Sequence, residues 1–399
     1  MTVSIELTQG PTVPADEVID ALLAGIVRVT RRAEIYEGDA VTPFDIPDWN
    51  YRLAGGSISV DHDRDERRVG EFSFSNDDNA LKLDPLNGFW YDKIIKAFWG
   101  IKYYDASGIE RSYEVQIGEF MIDRIKETRF PHVVDVTCRD YTKRCLNSKL
   151  KYSLTFPSGT PVETIIKALA ANCGITKFAL PTTGQTYTLD LVFERGIERW
   201  NVMKQIADSI GYEVYFLGNG YLTMRPYADP TTSPLSWVFR TGELDGTLIQ
   251  YERSSNDSRI KNHIIVVGNT STDLDGYNIS VFAEALNEDP LSPTRISRLG
   301  DRTDIIENSY FTDNVTALAY ANKRLRVSSL EEYEVNFESI IIPWLEAGDI
   351  VDIDDSGGSI YVPSRFLLTS FNFPMSLGGM SGVGRRVTIV GSDQTLEYM

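Results

Sequence analysis

The side chains that could catalyse a reaction or hold a metal ion are few and scattered along this chain. There are three histidines, His62, His132 and His263. His62 lies in the charged run 61–66, whose spacing matches no metal-ligand motif and is typical of a solvated turn. His132 and His263 stand at the starts of strand-like segments, where packed or surface histidines are commoner than catalytic bases. The histidines therefore predict no catalytic or metal site.

Acidic residues at 349–355 form a second candidate, because clustered carboxylates can hold Ca²⁺. Alternation places Asp352 and Asp354 on one side of a strand, with Val351 and Ile353 on the other. A solvated strand face explains these acids, and the ligand order of an EF-hand is missing. We therefore assign the chain no metal and no cofactor, with calcium kept as an alternative.

Compact catalytic motifs are absent from the sequence. It contains no Gly-x-Ser-x-Gly, no His-Glu-x-x-His and no phosphate-binding or dinucleotide-binding glycine motif. We predict that the protein is not an enzyme and has no catalytic residues. A hydrolase with dispersed carboxylates remains the alternative, since 57 acidic residues allow pairs that only a fold would bring together.

Aromatic residues crowd the segment 89–104, where stacked rings could bind a sugar. Packing in a core or at a subunit interface is the commoner use of such rings, because each buries a large apolar area. We predict packing, in a core or at a subunit interface, with carbohydrate binding as the alternative. The rings are Phe89, Trp90, Tyr91, Phe98, Trp99, Tyr103 and Tyr104.

Charge and cysteine content narrow the class of protein. The formal net charge of −18 argues against a duplex-DNA-binding protein, which needs clustered Lys and Arg. It fits a soluble surface, or an acidic passage that does not retain polyanions. Cys138, Cys145 and Cys173 form no Cys-x-x-Cys pair, which predicts buried, reduced thiols and folding in a cytoplasm. We expect no secretory signal at residues 1–11 and no membrane anchor.

The elements that must position these residues follow two patterns. Polar and apolar residues alternate in two long regions, which predicts antiparallel strands with one covered face. Helical spacing appears between the two regions and once inside the second. The predicted division is an N-terminal arm and helix at 1–25, a strand-rich domain at 26–155, a small α/β domain at 156–236, and a second strand-rich domain at 237–399 with a helix at about 312–327.

The small domain contains the best-specified block, residues 200–226. An amphipathic helix ends at Gly211, where a left-handed cap favours glycine. Gly218-Asn219-Gly220 then separates two runs of aromatic and β-branched residues, which predicts a hairpin.

The later helix is predicted to begin at Thr312 or Asp313. Its expected apolar stripe is Val315, Leu318, Ala319 and Leu325, with Asn322 inside it.

The two strand-rich regions resemble each other locally. Residues 120–125 are followed by the alternating segment 133–137, and residues 366–371 by the segment 386–390. An internal duplication is one explanation, and chance likeness between alternating segments is the other.

Three motifs together resemble the tail-tip (baseplate) hub proteins of long-tailed, siphovirus-type bacteriophages. The first runs from Ile206-Ala-Asp-Ser-Ile-Gly211 to Arg225-Pro226. The second joins residues 319–326 to Tyr333-Glu-Val-Asn-Phe337 and Pro343-Trp-Leu-Glu-Ala-Gly-Asp349. The third comprises Ser57-Ile-Ser-Val-Asp61, Arg67-Arg68, Phe72-Ser-Phe74 and Gly118-Glu-Phe-Met-Ile122.

The resemblance implies a mainly β (α+β) fold of two tail-tube-like antiparallel β-barrels, at 26–155 and 237–399, with a small α/β domain between them. It implies a homotrimeric ring that continues or closes the tail tube and anchors receptor-binding or spike proteins. The expected partners are a distal tail ring protein, a tape-measure protein and tail fibre or spike proteins. Genome DNA would pass an acidic lumen without specific binding.

The expected location is the tail tip of a virion, after synthesis in the bacterial host cytoplasm. The family supplies no catalytic residues to transfer. A carbohydrate-binding adhesin or distal tail component, and a cell-wall hydrolase, remain the alternative functions.

Overall fold

The computed structural model describes residues 14–25, 27–45, 52–86, 88–228, 232–241, 246–254, 260–272, 278–329, 331–354, 365–376 and 379–387. Strands dominate this part of the chain and most of them pair in antiparallel sheets, so the predicted mainly β fold is confirmed. The helices are α1 (Asp16–Leu23), α2 (Thr142–Leu146), α3 (Val162–Ala171), α4 (Arg199–Ser209), α5 (Ile296–Leu299) and α6 (Asn314–Ser329). The strands are β1 (Arg28–Tyr36), β2 (Leu53–Asp61), β3 (Arg68–Ser75), β4 (Ile94–Tyr104), β5 (Glu110–Arg129), β6 (His132–Arg139), β7 (Leu154–Phe156), β8 (Phe178–Ala179), β9 (Leu191–Phe193), β10 (Tyr212–Phe216), β11 (Leu222–Pro226), β12 (Trp237–Arg240), β13 (Leu248–Ser254), β14 (His263–Thr272), β15 (Asn278–Leu286), β16 (Thr303–Glu307), β17 (Glu331–Ser339), β18 (Ile350–Asp354), β19 (Arg365–Pro374) and β20 (Met380–Val387).

Twelve of the described strands form one sheet, which we call the long sheet. Its main path runs β1-β4-β5-β6-β3-β2-β19-β20-β17-β13, with β12 paired to β18 and β18 paired to β19. The two strand-rich regions of the sequence meet where β2 pairs with β19. Beneath that junction the apolar side chains of both regions form one continuous core. Burial of their apolar faces therefore joins the two regions into one body.

The two halves of the long sheet repeat one arrangement. The order β5-β6-β3-β2 in the first half matches β19-β20-β17-β13 in the second, with corresponding strands in corresponding chain order. The positions at which the strand register shifts also correspond between the two halves. The β2/β3 register shifts after Leu53, and the β13/β17 register shifts after Leu248. The β5/β6 register shifts after Ile122, and the β19/β20 register shifts after Leu368.

The shared register makes individual residues of the two halves equivalent. Residues 120–125 correspond to 366–371, as their sequence likeness suggested. Residues 133–137, however, correspond to 379–383 and not to 386–390. Alternating segments look alike at many offsets, and only the hydrogen-bond ladder fixes the register.

The small α/β domain has its own core, built from α3, α4 and the sheet β10-β11-β8. Gly211 follows α4 at φ +74°, and Gly220 stands in the hairpin turn at φ +80°. Both positions favour a residue without Cβ. The predicted helix and hairpin are confirmed.

A further unit packs α6 on the three-stranded sheet β15-β14-β16, with a separate core. Asp313 accepts a hydrogen bond from the Thr316 amide at 2.8 Å, which confirms the predicted cap. The predicted stripe is wrong at Val315, Leu318 and Ala319, which are exposed, and is confirmed at Leu325, which is buried. Beside Leu325, the face turned to the sheet carries Ala317 and Ala321, whose small side chains allow a close approach.

Candidate functional site: the polar face of the long sheet

One face of the long sheet packs on the core, and the other carries polar side chains over eight strands, from β13 to the second half of β5. We call this the polar face. At roughly 4.8 Å per strand it is about 34 Å wide. Cross-strand neighbours form continuous rows. One row is Gln250, Glu338, Ser381, Asn372 and Ser59, the next is Glu252, Asn336, Val383, Ser370 and Asp61, and a third is Ser57, Glu71, Thr137 and Arg124.

The polar face is concave across β13, β17, β20 and β19, where it encloses a groove of about 370 Å³. Half of the residues that line the groove have hydroxyl or amide side chains, and Glu252 and Glu338 are exposed on its outer side. In the first half of the sheet, acids such as Glu71 alternate with bases such as Arg124 and Lys126. Among the side chains that the structure describes, the face offers many weak hydrogen-bonding groups and no concentrated basic patch.

A buried charge network holds the β10–β11 hairpin against the long sheet. Glu213 accepts hydrogen bonds from Arg67 and Arg225, each at 2.6 Å, and lies 2.9 Å from His62 Nε2. Arg225 also donates to Asp349 Oδ1 at 2.6 Å. The network thus ties together the β2–β3 segment, the hairpin and the residues before β18.

The electrostatics of this network favour its ionised form. Burial lowers the pKa of His62, but hydrogen bonds with Asp63 and Glu213 outweigh burial and the net pKa is raised. Burial also opposes ionisation of Glu213, yet the surrounding positive charges hold its pKa well below the usual range. With both carboxylate oxygens occupied, Glu213 serves as an anchor for the hairpin.

The tip of the same hairpin rests on β5. Gln116 Nε2 donates to the carbonyl of Gly218 at 3.4 Å, and Lys177 lies 2.6 Å from the buried carboxylate of Glu119. Tyr141 donates to that carboxylate at 2.9 Å, and both burial and the neighbouring negative charge raise the pKa of Tyr141. The sequence indicated no partner for the hairpin 212–226. In the structure, both its base and its tip contact the body of the protein.

The histidines and acids considered from the sequence are dispersed. His62 lies in a turn as predicted, but it is not solvated, because it points into the Glu213 network. His132 packs against Phe130, and His263 lies between Glu284 and Asp301. Asp352 is completely buried, so its predicted position on a solvated strand face is wrong. Its strand lies between β12 and β19, and both of its faces are covered.

Other predicted features are also separated by the fold. Among residues 89–104, Phe89, Trp99 and Tyr103 are buried in the subunit core, whereas Tyr91 and Tyr104 are exposed. The rings therefore do not form one platform; packing is confirmed for the buried rings, and burial of the exposed Tyr91 and Tyr104 at an interface stays a prediction. The three cysteines are free and buried, as predicted.

Within the described ranges, no group of three or more His, Cys, Asp or Glu side chains is placed to hold a metal ion. No helix in this part of the chain is long and apolar enough to cross a membrane.

The sequence signal for the polar face is visible in retrospect. Ser57-Ile-Ser-Val-Asp61 and Glu334-Val-Asn-Phe-Glu338 both alternate small or acidic residues with apolar ones. Alternation shows that each strand has a polar side, but it does not show that eight strands place those sides on one surface. The buried charge network had no sequence signal, since its members are separated by up to 287 positions from His62 to Asp349.

Comparison with known proteins agrees with this architecture. No protein-family model matches the chain, and no curated protein sequence matches it. Solved structures match over nearly its whole length. A tail protein from Neisseria meningitidis MC58 superposes with a TM-score of 0.59 at 14% identity, covering 90% of this chain and 98% of that one.

Two prophage tail proteins superpose on the chain to a similar extent. The 43 kDa tail protein of prophage MuSo2 from Shewanella oneidensis gives a TM-score of 0.55 at 13% identity, covering 89% of this chain and 98% of that one. Prophage tail protein gp18 from Listeria monocytogenes EGD-e gives 0.52 at 12% identity, covering 92% and 97%. The chain therefore has the mainly β fold of phage tail proteins.

Proposed function

We propose that the protein is a structural hub of a phage tail tip, in which three copies form a ring with the polar faces lining a central passage. One observation carries this proposal. Two equivalent four-stranded halves are joined edge to edge in a single sheet, and the join leaves one continuous polar face. A repeat of this kind, whose polar face is concave, can be extended around a ring by adding further copies.

The dimensions suit a tube. Three copies of the eight-stranded face supply 24 strands, which correspond to a circumference of about 115 Å and a backbone diameter of about 37 Å. Neutral hydroxyl and amide groups with scattered acids bind a polyanion weakly, because tight binding needs clustered cations. Genome DNA or a tape-measure protein could therefore pass without being retained.

The remaining parts of the chain fit the same role. We propose that the arm and helix at 1–25, the domains at 26–155 and 237–399, and the small domain at 156–236 are the building blocks of the hub. In this proposal the ring meets a distal tail ring protein on one side and tail fibre or spike proteins on the other. The hub acts as a virion component with no catalytic role, in keeping with the solved phage tail proteins that share its fold.

The alternative functions gain no specific support. The adhesin hypothesis depended on the aromatic segment 89–104, whose rings the fold divides between the core and the surface. The hydrolase hypothesis needs two carboxylates facing one cleft. Glu252 and Glu338 are diagonal neighbours on β13 and β17 and both are exposed at the groove, so they are the pair of carboxylates that this hypothesis would have to use.

The test is the mass and shape of the assembled chain. We expect sedimentation velocity over a range of protein concentrations to show a trimer, and electron microscopy to show rings with a central hole. The same rings should appear at the end of the tail in particles that contain the chain. A chain that stays monomeric at the highest concentration, and is absent from purified particles, would refute the hub proposal.

A further inference from the structure

We infer that successive copies of this chain join through two particular strand edges, the outer edge of β5 at residues 124–129 and the outer edge of β13 at residues 248–254. The inference rests on the proposed ring and names the contact that closes it. In the described part of the chain, residues 124–129 pair with β6 alone, and β13 pairs with β17 alone. Each edge therefore exposes a row of backbone donors and acceptors that another strand can satisfy.

The junction inside the chain supplies a template for the junction between chains. β2 of the first half pairs with β19 of the second half. Because the two halves are equivalent, β13 corresponds to β2, and β5 corresponds to β19. Repeating the internal junction once more therefore places β13 of one copy beside β5 of the next.

The template also specifies the register. Within the chain, Ser57 lies opposite Pro374 and Ser59 lies opposite Asn372. The ladder equivalences carry Ser57 and Ser59 onto Glu252 and Ser254, and carry Pro374 and Asn372 onto Thr128 and Lys126. The expected contact thus sets Glu252 opposite Thr128 and Ser254 opposite Lys126 of the next copy.

Strand direction is compatible with this pairing. All seven pairings from β5 through β19 to β13 are antiparallel, so the first and last of the eight strands run in opposite directions. A rotated copy placed at either edge therefore continues the antiparallel alternation. The polar side of each strand also stays on the same surface.

Charge favours this head-to-tail contact over a twofold one. Arg124 and Lys126 are exposed on the β5 edge, and Glu252 is exposed on the β13 edge. In the expected register Lys126 is the diagonal neighbour of Glu252, within reach of a long side chain. A twofold contact would instead place β5 beside β5, with basic residues facing each other, or β13 beside β13, with acids facing each other.

The core side of both edges is incomplete in a single copy. Ile125 on β5 and Tyr251 on β13 pack on the main core but remain only half-buried. A neighbouring strand would cover the exposed part of each side chain. The two edges thus have opposite strand directions and side chains of opposite charge. Each also has a half-buried apolar side chain on the core side of the sheet.

The decisive experiment is disulfide trapping in the full chain with the double variant Thr128→Cys/Glu252→Cys. Within one chain these positions lie on the first and last of eight strands, seven strand spacings or about 34 Å apart, so only two different copies can form the bond. We expect copper-phenanthroline oxidation to give a ladder of linked subunits on a denaturing gel. The yield should exceed that of the control pair Thr128→Cys/Glu288→Cys by more than about tenfold, because contact raises the effective concentration. Glu288 is exposed and lies outside the long sheet.

A second readout needs no substitution. Carbodiimide treatment of a mixture of ¹⁴N- and ¹⁵N-labelled wild-type chains should give a mixed-isotope link between Lys126 and Glu252, detected by peptide mass spectrometry. A trimer without the disulfide or the isopeptide link would overturn the edge assignment and leave the hub proposal standing. Links between copies of a chain that never forms trimers would support the edge contact and refute the ring. A monomer without either link would refute both.

Discussion

At the scale of single residues, Glu213 decides how the small domain sits on the long sheet. Its carboxylate binds Arg67 from the first strand-rich region and Arg225 from the hairpin, and both arginines reach the carbonyl of Ala347. Three distant segments thus depend on one buried anion. A buried ion network holds a geometry strongly once formed, because removing one member leaves the others charged and without a counter-ion.

We predict that Glu213→Gln lowers the free energy of unfolding by about 3–5 kcal/mol, since Arg67 and Arg225 would remain buried without their anion. Asp65→Asn is the matched control. It removes an ion pair between the same two regions, Lys204–Asp65, whose side chains are 50% and 40% exposed. We expect the control to change the free energy by less than about 1 kcal/mol. Urea unfolding at one fixed protein concentration measures both, and equal losses would contradict the anchoring role.

At the scale of elements, the β10–β11 hairpin shows how a locally specified segment acquires a tertiary role. Its turn glycine, Gly220, has a positive φ and also lies against Glu119, where an added Cβ would be 2.9 Å from the carboxylate carbon. Backbone strain and close packing therefore both require glycine at this position.

The variant Gly220→Ala separates those two requirements when it is compared with Gly184→Ala. Gly184 also has a positive φ, but nothing lies within 4 Å of its missing Cβ. We expect Gly184→Ala to cost about 1 kcal/mol of backbone strain, and Gly220→Ala to approach about 3 kcal/mol because Glu119 must also move. Thermal unfolding measures the difference. If both variants lose the same stability, the hairpin tip does not depend on its contact with β5.

For helix α6, the sequence predicts the position of the helix but not the face that is buried. Its bounds and its cap followed from Asp313 and the run after it, which are local features. Its buried face did not, because the contact with β14 and β15 selects Ala317 and Ala321 over the larger Val315 and Leu318. Residue size alone does not mark that face, since small Ala319 is exposed and large Leu325 is buried, so the packing of the whole helix on the sheet sets it.

At the scale of the whole molecule, the described residues contain one large core under the long sheet, a second core in the small α/β domain and a much smaller one under α6. The large core spans both strand-rich regions, whereas the β14–β16 unit holds eight buried apolar residues of its own. Regions with little buried apolar area open at a lower free energy than the global unfolding transition.

We therefore predict that amides of β14 and β15 exchange hydrogen through a local opening, while amides of β3, β6 and β19 exchange only with global unfolding. Native-state hydrogen exchange at increasing denaturant concentration measures both free energies. The amides of the two halves of the long sheet should fall into one class, because β2 and β19 share a ladder and a core. Separate transitions for the two halves would contradict the single body described above.

The sequence by itself determined the strand-rich character of both regions, the helix and hairpin at 200–226, and the lack of a compact catalytic motif. These features depend on periodicity, turn residues and caps, which act over a few neighbouring positions. Only the tertiary structure decided that β2 pairs with β19, that eight polar strand sides form one face, and that His62 and Asp349 belong to one network. Those outcomes depend on contacts between residues far apart in the chain, where register and burial are fixed by the packing of whole elements.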